Sequence, residues 1–286
     1  MNRRNFIRTS SLSLFAMQLH DFKDQFDQEV DIKMPVLFVG HGNPMNAIED
    51  NEFTKGWEDT GKLLPVPKAI LCVSAHWLTR GTKVAAIADP PTIHDFGGFP
   101  QTLFDVQYDA PGSPEFALET QKIITKTTVE IDNEWGLDHG AWSVLVKMFP
   151  KADIPVYQLS IDYYQKPEYH YALAKELAGL RKRGVLIIGS GNIVHNLRMA
   201  QWNDTAYDWA IEFDETIKKL IENGDHTPII NYETLGKSAL LSVPTNDHYL
   251  PLLYSLALQE KNESLRFFND KTTMGAVSMR SIIIGA

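Results

Sequence analysis

The chain has 286 residues, of which 44% are hydrophobic and 22% charged. That is enough for one large globular domain with a core deep enough to shape a pocket. A formal net charge of -9 excludes the basic face that a nucleic-acid partner requires. The single cysteine, Cys72, excludes an intrachain disulfide and a sulfur-rich structural zinc site, and reads as a small buried hydrophobe.

In chain order, Arg3-Arg4-Asn5-Phe6 followed by the stretch from Ser10 to Leu19 resembles a twin-arginine export signal. Three serines and a glutamine break that stretch and no Ala-x-Ala site follows, so the competing reading is an N-terminal extension over residues 1–33. The compartment is accordingly cytoplasmic, or periplasmic if the signal is genuine. No run reaches the roughly 18 apolar residues of a membrane span. Residues 34–286 read as one domain. Strands are predicted over 35–39, 69–74, 84–88, 155–161, 185–189 and 276–284, from short apolar and β-branched runs. Helices are predicted over 113–126, with Ser113 as N-cap and Pro114 at the first position, over 169–183, over 208–223 and over 251–259. The alternation predicts an α/β fold: a layered α/β/α sandwich around a central, mostly parallel or mixed sheet. The long Pro- and Gly-containing segment 89–114 is too long for a plain connection and reads as cover for a site.

Histidines gather where such a sheet binds ligands, at the carboxyl ends of its strands. His41 follows the first strand between Gly40 and Gly42, His76 ends the second, and His195 lies in the loop after 185–189. His248 precedes the last predicted helix, beside Asp247, which would cap that helix or orient the imidazole. Neutral imidazole is the commonest metal ligand, so a metal centre is the first reading for these four. His139 is placed near the substrate and His94 less firmly so, each in a loop beside an acid, Asp138 or Asp95, able to hold its tautomer. His20, His170 and His226 read as surface residues. Ser190 lies in Gly189-Ser190-Gly191, which lacks both the Gly-x-Ser-x-Gly elbow of a serine hydrolase and the lysine of a phosphate loop.

Six segments, taken together and in order, resemble the class III extradiol ring-cleaving dioxygenases, in the 4,5-DOPA dioxygenase branch of plants and bacteria. They are Gly40-His41-Gly42-Asn43-Pro44-Met45, Ser74-Ala75-His76-Trp77, the stretch from Pro90 to Pro100, Asp138-His139-Gly140-Ala141-Trp142, the stretch from Ser190 to Leu197, and the stretch from His248 to Leu253. The resemblance implies one divalent metal held by His41, His76 and His248, with His195 either a fourth ligand or the base beside it. It implies Fe(II) for catalysis, with Zn(II) able to occupy the same histidines, and a catechol and O2 as reactants. It leaves open whether Asp247, Glu49 or water completes the metal's coordination. His139 would hydrogen-bond the reacting substrate, and Trp77, Phe96, Phe99 and Tyr249 would wall its ring. Arg80 or Arg198 would meet the carboxylate of a DOPA-like amino acid. The alternatives are a zinc-dependent hydrolase working on the same histidines, and a metal-binding protein without catalysis that reuses the fold.

Overall fold

In a computed structural model, which describes residues 33–286, the apolar runs become the inner strands of one six-stranded sheet. Its strands are β1 (Val36–Gly40), β2 (Ala69–Ser74), β3 (Val156–Gln158), β4 (Val185–Gly191), β5 (Leu265–Phe268) and β6 (Ser281–Ile284). They lie in the order β3-β2-β4-β1-β6-β5. The pairs β3/β2, β2/β4 and β4/β1 are parallel, whereas β1/β6 and β6/β5 are antiparallel. Every residue of β1, β2 and β4 is buried, as expected of strands covered on both faces.

The period of two sends alternate side chains to two separate cores. Leu37, Val39, Ile70, Leu186 and Ile188 pack with Trp57, Trp142 and Leu145 of helices α1 (Glu52–Leu63) and α3 (His139–Met148). Val36, Phe38, Leu71, Val73, Val185 and Ile187 pack on the other face. That face is covered by α4 (Pro167–Ala174), α5 (Asp208–Glu222) and α6 (Leu250–Leu256). Each fully buried Val, Leu or Ile contributes ~1.5–3 kcal/mol. The expected three-layer sandwich is therefore the observed one.

Several boundaries differ from expectation. The strand expected over 84–88 is Thr82–Ala85, which leaves the main sheet to pair with Val129–Asp132. The run 155–161 divides into β3 and Ile161–Asp162, and 276–284 divides into Val277–Ser278 and β6. The second division falls at Arg280, whose buried guanidinium turns to pair with Asp214, Glu215 and Asp270. Helix α2 (Pro114–Ile123) starts as foreseen at Pro114, but the Ser113 side chain makes no capping bond. The helix expected over 169–183 is interrupted by a tighter turn at Lys175–Leu177. Helix α1 went unread, although Asn51 and Thr54 form a capping box at its start. His170 and His226 are not surface residues. His170 is fully buried on the inner face of α4, with Nδ1 3.0 Å from the Tyr254 hydroxyl, and His226 is half-buried between Tyr171 and Gln259. The twin-arginine-like segment and His20 lie outside the described residues. Among the described residues, no helix is long and apolar enough to cross a membrane.

Candidate active site

β4 lies between β1 and β2, so the three parallel strands deliver His41, His76 and His195 to one edge of the sheet. In the ladder Ser190 stands opposite Val39 on one side and Ser74 on the other. After His41 the chain turns through Gly42, whose φ of +61° is a left-handed conformation open to glycine at little cost. His248 reaches the same edge from the far end of the chain. Its carbonyl oxygen accepts the Asn192 N–H at 2.8 Å and would lie only 2.2 Å from a Cβ at Gly191. The absence of a side chain at Gly191 is what lets that segment close on the strand.

The rings of His41, His76 and His248 form a nearly equilateral triangle, with centroids 5.0, 5.2 and 4.9 Å apart. Each Nδ1 faces a partner outside the triangle. Ser190 Oγ donates to the Gly140 carbonyl and therefore accepts from His41 Nδ1, 3.0 Å away. His76 Nδ1 faces Asp95 Oδ2 at 3.4 Å, and His248 Nδ1 donates to Asp247 Oδ2. These partners leave the Nε2 lone pairs free to converge, the way outer partners orient metal-binding histidines. Burial comes first among the causes that hold all three imidazoles neutral, followed by neighbouring histidines. His41 and His248 titrate well below the ordinary value, and His76 at about 3.

The donor set fits a divalent cation. Two nitrogens bound at ~2.0–2.1 Å to a tetrahedral ion stand roughly 3.3 Å apart, and His41 Nε2 lies 3.2 Å from His76 Nε2. The potential ligand atoms of His41, His76 and His139 fall within 4.8 Å of one another, as do those of His195, Asp247 and His248. By ligand-atom distance His248 thus groups with His195, and it joins His41 and His76 through ring centroids 5.2 and 4.9 Å away. His195 differs in posture from the triangle. Its ring stacks on that of His248, with centroids 3.5 Å apart and planes 10° from parallel. In-plane lone pairs on two parallel rings run side by side and do not meet at one point. Burial, opposed by the Asp247 charge, lowers its pKa to about 4.

His139 is not in a loop: it is the first residue of α3, and Asp138 caps that helix by accepting the Ala141 N–H. Asp138 is fully buried and also accepts from Ser74 Oγ at 2.6 Å and Gln158 Nε2 at 2.7 Å, which locks α3 to β2 and β3. The acid beside His139 in space is Asp95. Asp95 Oδ1 accepts the His139 backbone N–H at 2.9 Å and lies 3.0 Å from His139 Nδ1, without the alignment of a hydrogen bond. Burial opposes ionisation of Asp95, yet contact with His139 and then His76 holds it below the ordinary carboxylate value.

The histidines floor a cavity that opens to solvent. Phe96, Phe99, Leu197, Trp202, Met274 and Val277 form its walls, with Asn43 and Pro44 at one side. Phe96 and Phe99 are where the sequence placed them, on the segment 89–114 that covers the site. Trp77 and Tyr249 are not: Trp77 stacks on Trp135, and buried Tyr249 donates to the Ile229 carbonyl. Glu49 is exposed and lines no part of the cavity. Asp247 is engaged with His248 Nδ1. Arg80 lies over the Tyr164 ring and Arg198 is exposed, and neither lines the cavity. His94 Nε2 donates to the Val106 carbonyl at 3.0 Å within an aromatic cluster. Sequence reading missed Ser190 and Asp95 as partners of the histidines, and Leu197, Trp202, Met274 and Val277 as walls. An isolated tryptophan in the polar stretch Gln201–Asp204 was the only signal for the last group.

Comparison with known proteins gives a consistent picture. Residues 35–280 match the family described as the catalytic LigB subunit of aromatic ring-opening dioxygenase. The chain is 47% identical to the 4,5-DOPA dioxygenase extradiol of Escherichia coli (strain K12), covering 88% of this chain and 95% of that one. It is 37% identical to the protein of the same name from Beta vulgaris, over 86% of this chain and 94% of the relative. A crystal structure of an uncharacterized protein from Escherichia coli K12 superimposes with a TM-score of 0.77 at 41% identity. That match covers 88% of this chain and all of the other.

Proposed function

The chain belongs to the LigB family of aromatic ring-opening dioxygenases and is a metal-dependent extradiol enzyme that opens a catechol ring, and from that premise we propose how its own residues do so. We propose that residues 34–286 form the catalytic domain, that the metal is Fe(II) held by His41, His76 and His248, and that the substrate is a DOPA-like catechol with an alkyl arm. The observation that carries the ligand assignment is the triangle of three rings whose Nδ1 atoms face Ser190, Asp95 and Asp247. The substrate assignment is supported by relatives at 47% and 37% identity that carry the name 4,5-DOPA dioxygenase extradiol.

Bound ferrous iron would supply coordination of both catechol oxygens and activation of O2, both atoms of which enter the product. The residues of the chain do the rest. Phe96 and Phe99 pack on the ring and keep bulk water from it. His195, neutral at neutral pH and stacked beside His248, takes the proton of the second catechol hydroxyl and can return it as the ring opens. Its parallel stack favours this proton-transfer role over a fourth ligand position. His139, held at the start of α3 with Asp95 behind it, hydrogen-bonds the substrate at the reacting oxygens. The test is anaerobic loading with Fe(II), addition of L-DOPA, then admission of oxygen. Stoichiometric oxygen uptake with a new yellow chromophore is expected. Oxygen-independent turnover by the zinc-loaded protein would favour the hydrolase instead.

A further inference from the structure

We infer that the cavity recognises the arm of its catechol by apolar and aromatic contact, with no cationic side chain in its lining among the described residues, so that a carboxylate on the arm adds nothing to binding. The inference rests on the ring-cleavage reading above and concerns what that site selects. With the histidines facing the catechol oxygens and Phe96 and Phe99 on the ring, the arm is left to Leu197, Trp202, Met274 and Val277, none of which carries a charge. Asn43 is the other polar residue of the lining; its Oδ1 accepts the Met45 N–H at 2.9 Å, and its amide is a neutral donor that brings no charge to offset a carboxylate.

Lys271 and Arg280, which flank Met274 and Val277 in sequence, are engaged elsewhere. Lys271 Nζ lies 2.7 Å from both Glu52 and Asp204, and Arg280 is buried among Asp214, Glu215 and Asp270. Exposed Arg198 neighbours Leu197 in sequence but stays outside the lining. Asp95 and Asp247 stand directly behind the histidines, where their charges offset that of a bound divalent metal. An anionic arm finds no cationic side chain of the lining to pair with, whereas an ammonium meets the face of Trp202.

Trp202 is 76% exposed yet forms part of the wall, and its loop is firmly tied. Gln201 N–H donates to the Met274 carbonyl at 2.9 Å, Gly275 N–H to Thr205 at 2.7 Å, and Tyr207 N–H to Gly275 at 2.9 Å. A large aromatic held at the lip by backbone bonds is a contact surface for the arm.

The experiment compares L-DOPA, its methyl ester and dopamine on the iron-loaded protein, by kcat/KM in air and by Kd from anaerobic calorimetry. The ester and dopamine are expected to match or exceed L-DOPA, or to trail it by no more than threefold. A preference for L-DOPA over either by more than threefold overturns the inference. Arg198→Gln is expected to leave the ratio of acid to ester unchanged, and a loss confined to L-DOPA would assign the carboxylate to Arg198 and overturn it. Trp202→Ala is expected to raise Kd about five- to tenfold for all three compounds alike, with Trp202→Phe restoring most of the loss. Unchanged affinity in Trp202→Ala would remove the role given to that wall. If no compound is cleaved and unsubstituted catechol is also inert with iron verified in place, the ring-cleavage reading fails. The dissociation constants then still decide what the arm contributes.

Discussion

Asp95 constrains two active-site imidazoles at once, through the His139 backbone N–H at 2.9 Å and His76 Nδ1 at 3.4 Å. Losing its charge while keeping its shape weakens the hold on the His76 tautomer and leaves His139 less firmly placed. Asp95→Asn is therefore expected to lower metal affinity or kcat by ~10–100-fold, read by iron titration and steady-state rates, and wild-type values for both would count against the role. His41→Ala, His76→Ala and His248→Ala should each abolish stoichiometric iron. His195→Ala should keep its iron and lose kcat by roughly 10²–10⁴-fold; loss of iron in this variant would make His195 a ligand after all. His41, His76 and His195 were legible because each closely follows an apolar strand, beside small or polar residues. Asp95 was not, because its neighbour His94 drew the reading, whereas its partner His139 is 44 residues further along. Trp77 and Tyr249 misled for a related reason: aromatic character next to a ligand in sequence does not fix which face of the element it occupies.

At the level of elements, β4 and the start of α6 approach each other across glycines that a side chain would force apart. A Cβ at Gly191 would meet the His248 carbonyl at 2.2 Å, and that contact is backbone, which has no rotamer to yield. Gly191→Ala is expected to cost ~1–3 kcal/mol of stability by overpacking and to displace His248. Urea denaturation and iron affinity should both register it, and a change in neither would show that the segment gives way freely. The inner strands were easy to read because parallel strands buried on both faces are continuous apolar runs. Helix α3 was hard to read because His139-Gly140-Ala141-Trp142 carries no polar face: the helix is buried all round near its start, so no period of 3.6 stands out. The split of 276–284 followed from Arg280, a charge whose partners come from distant segments and leave no local trace.

Across the whole molecule, six buried or half-buried histidines among the described residues tie stability to pH. His41, His76, His170, His195, His226 and His248 all have folded pKa values below the ordinary 6.5, with burial the first cause in each; His170 and His195 fall to about 4. Between the two values the unfolded chain binds the extra protons. Stability is therefore full above about pH 6.5 and declines as pH falls toward about 4, by up to ~1.4 kcal/mol per pH unit for each histidine fully released. Metal-free protein should show a clearly lower urea midpoint at pH 5 than at pH 7, and equal midpoints would refute this linkage. The sheet itself sets a further condition. β1 carries the chain into His41, yet one of its two neighbours is β6, and the Gly40 amide donates to Ser281 Oγ across 241 residues of sequence at 3.0 Å. Translation runs in one direction, so the first of the proposed ligands to be synthesised waits for nearly the last strand to be held in place. The proposed metal geometry is therefore expected to be complete only once Ser281 has left the ribosome.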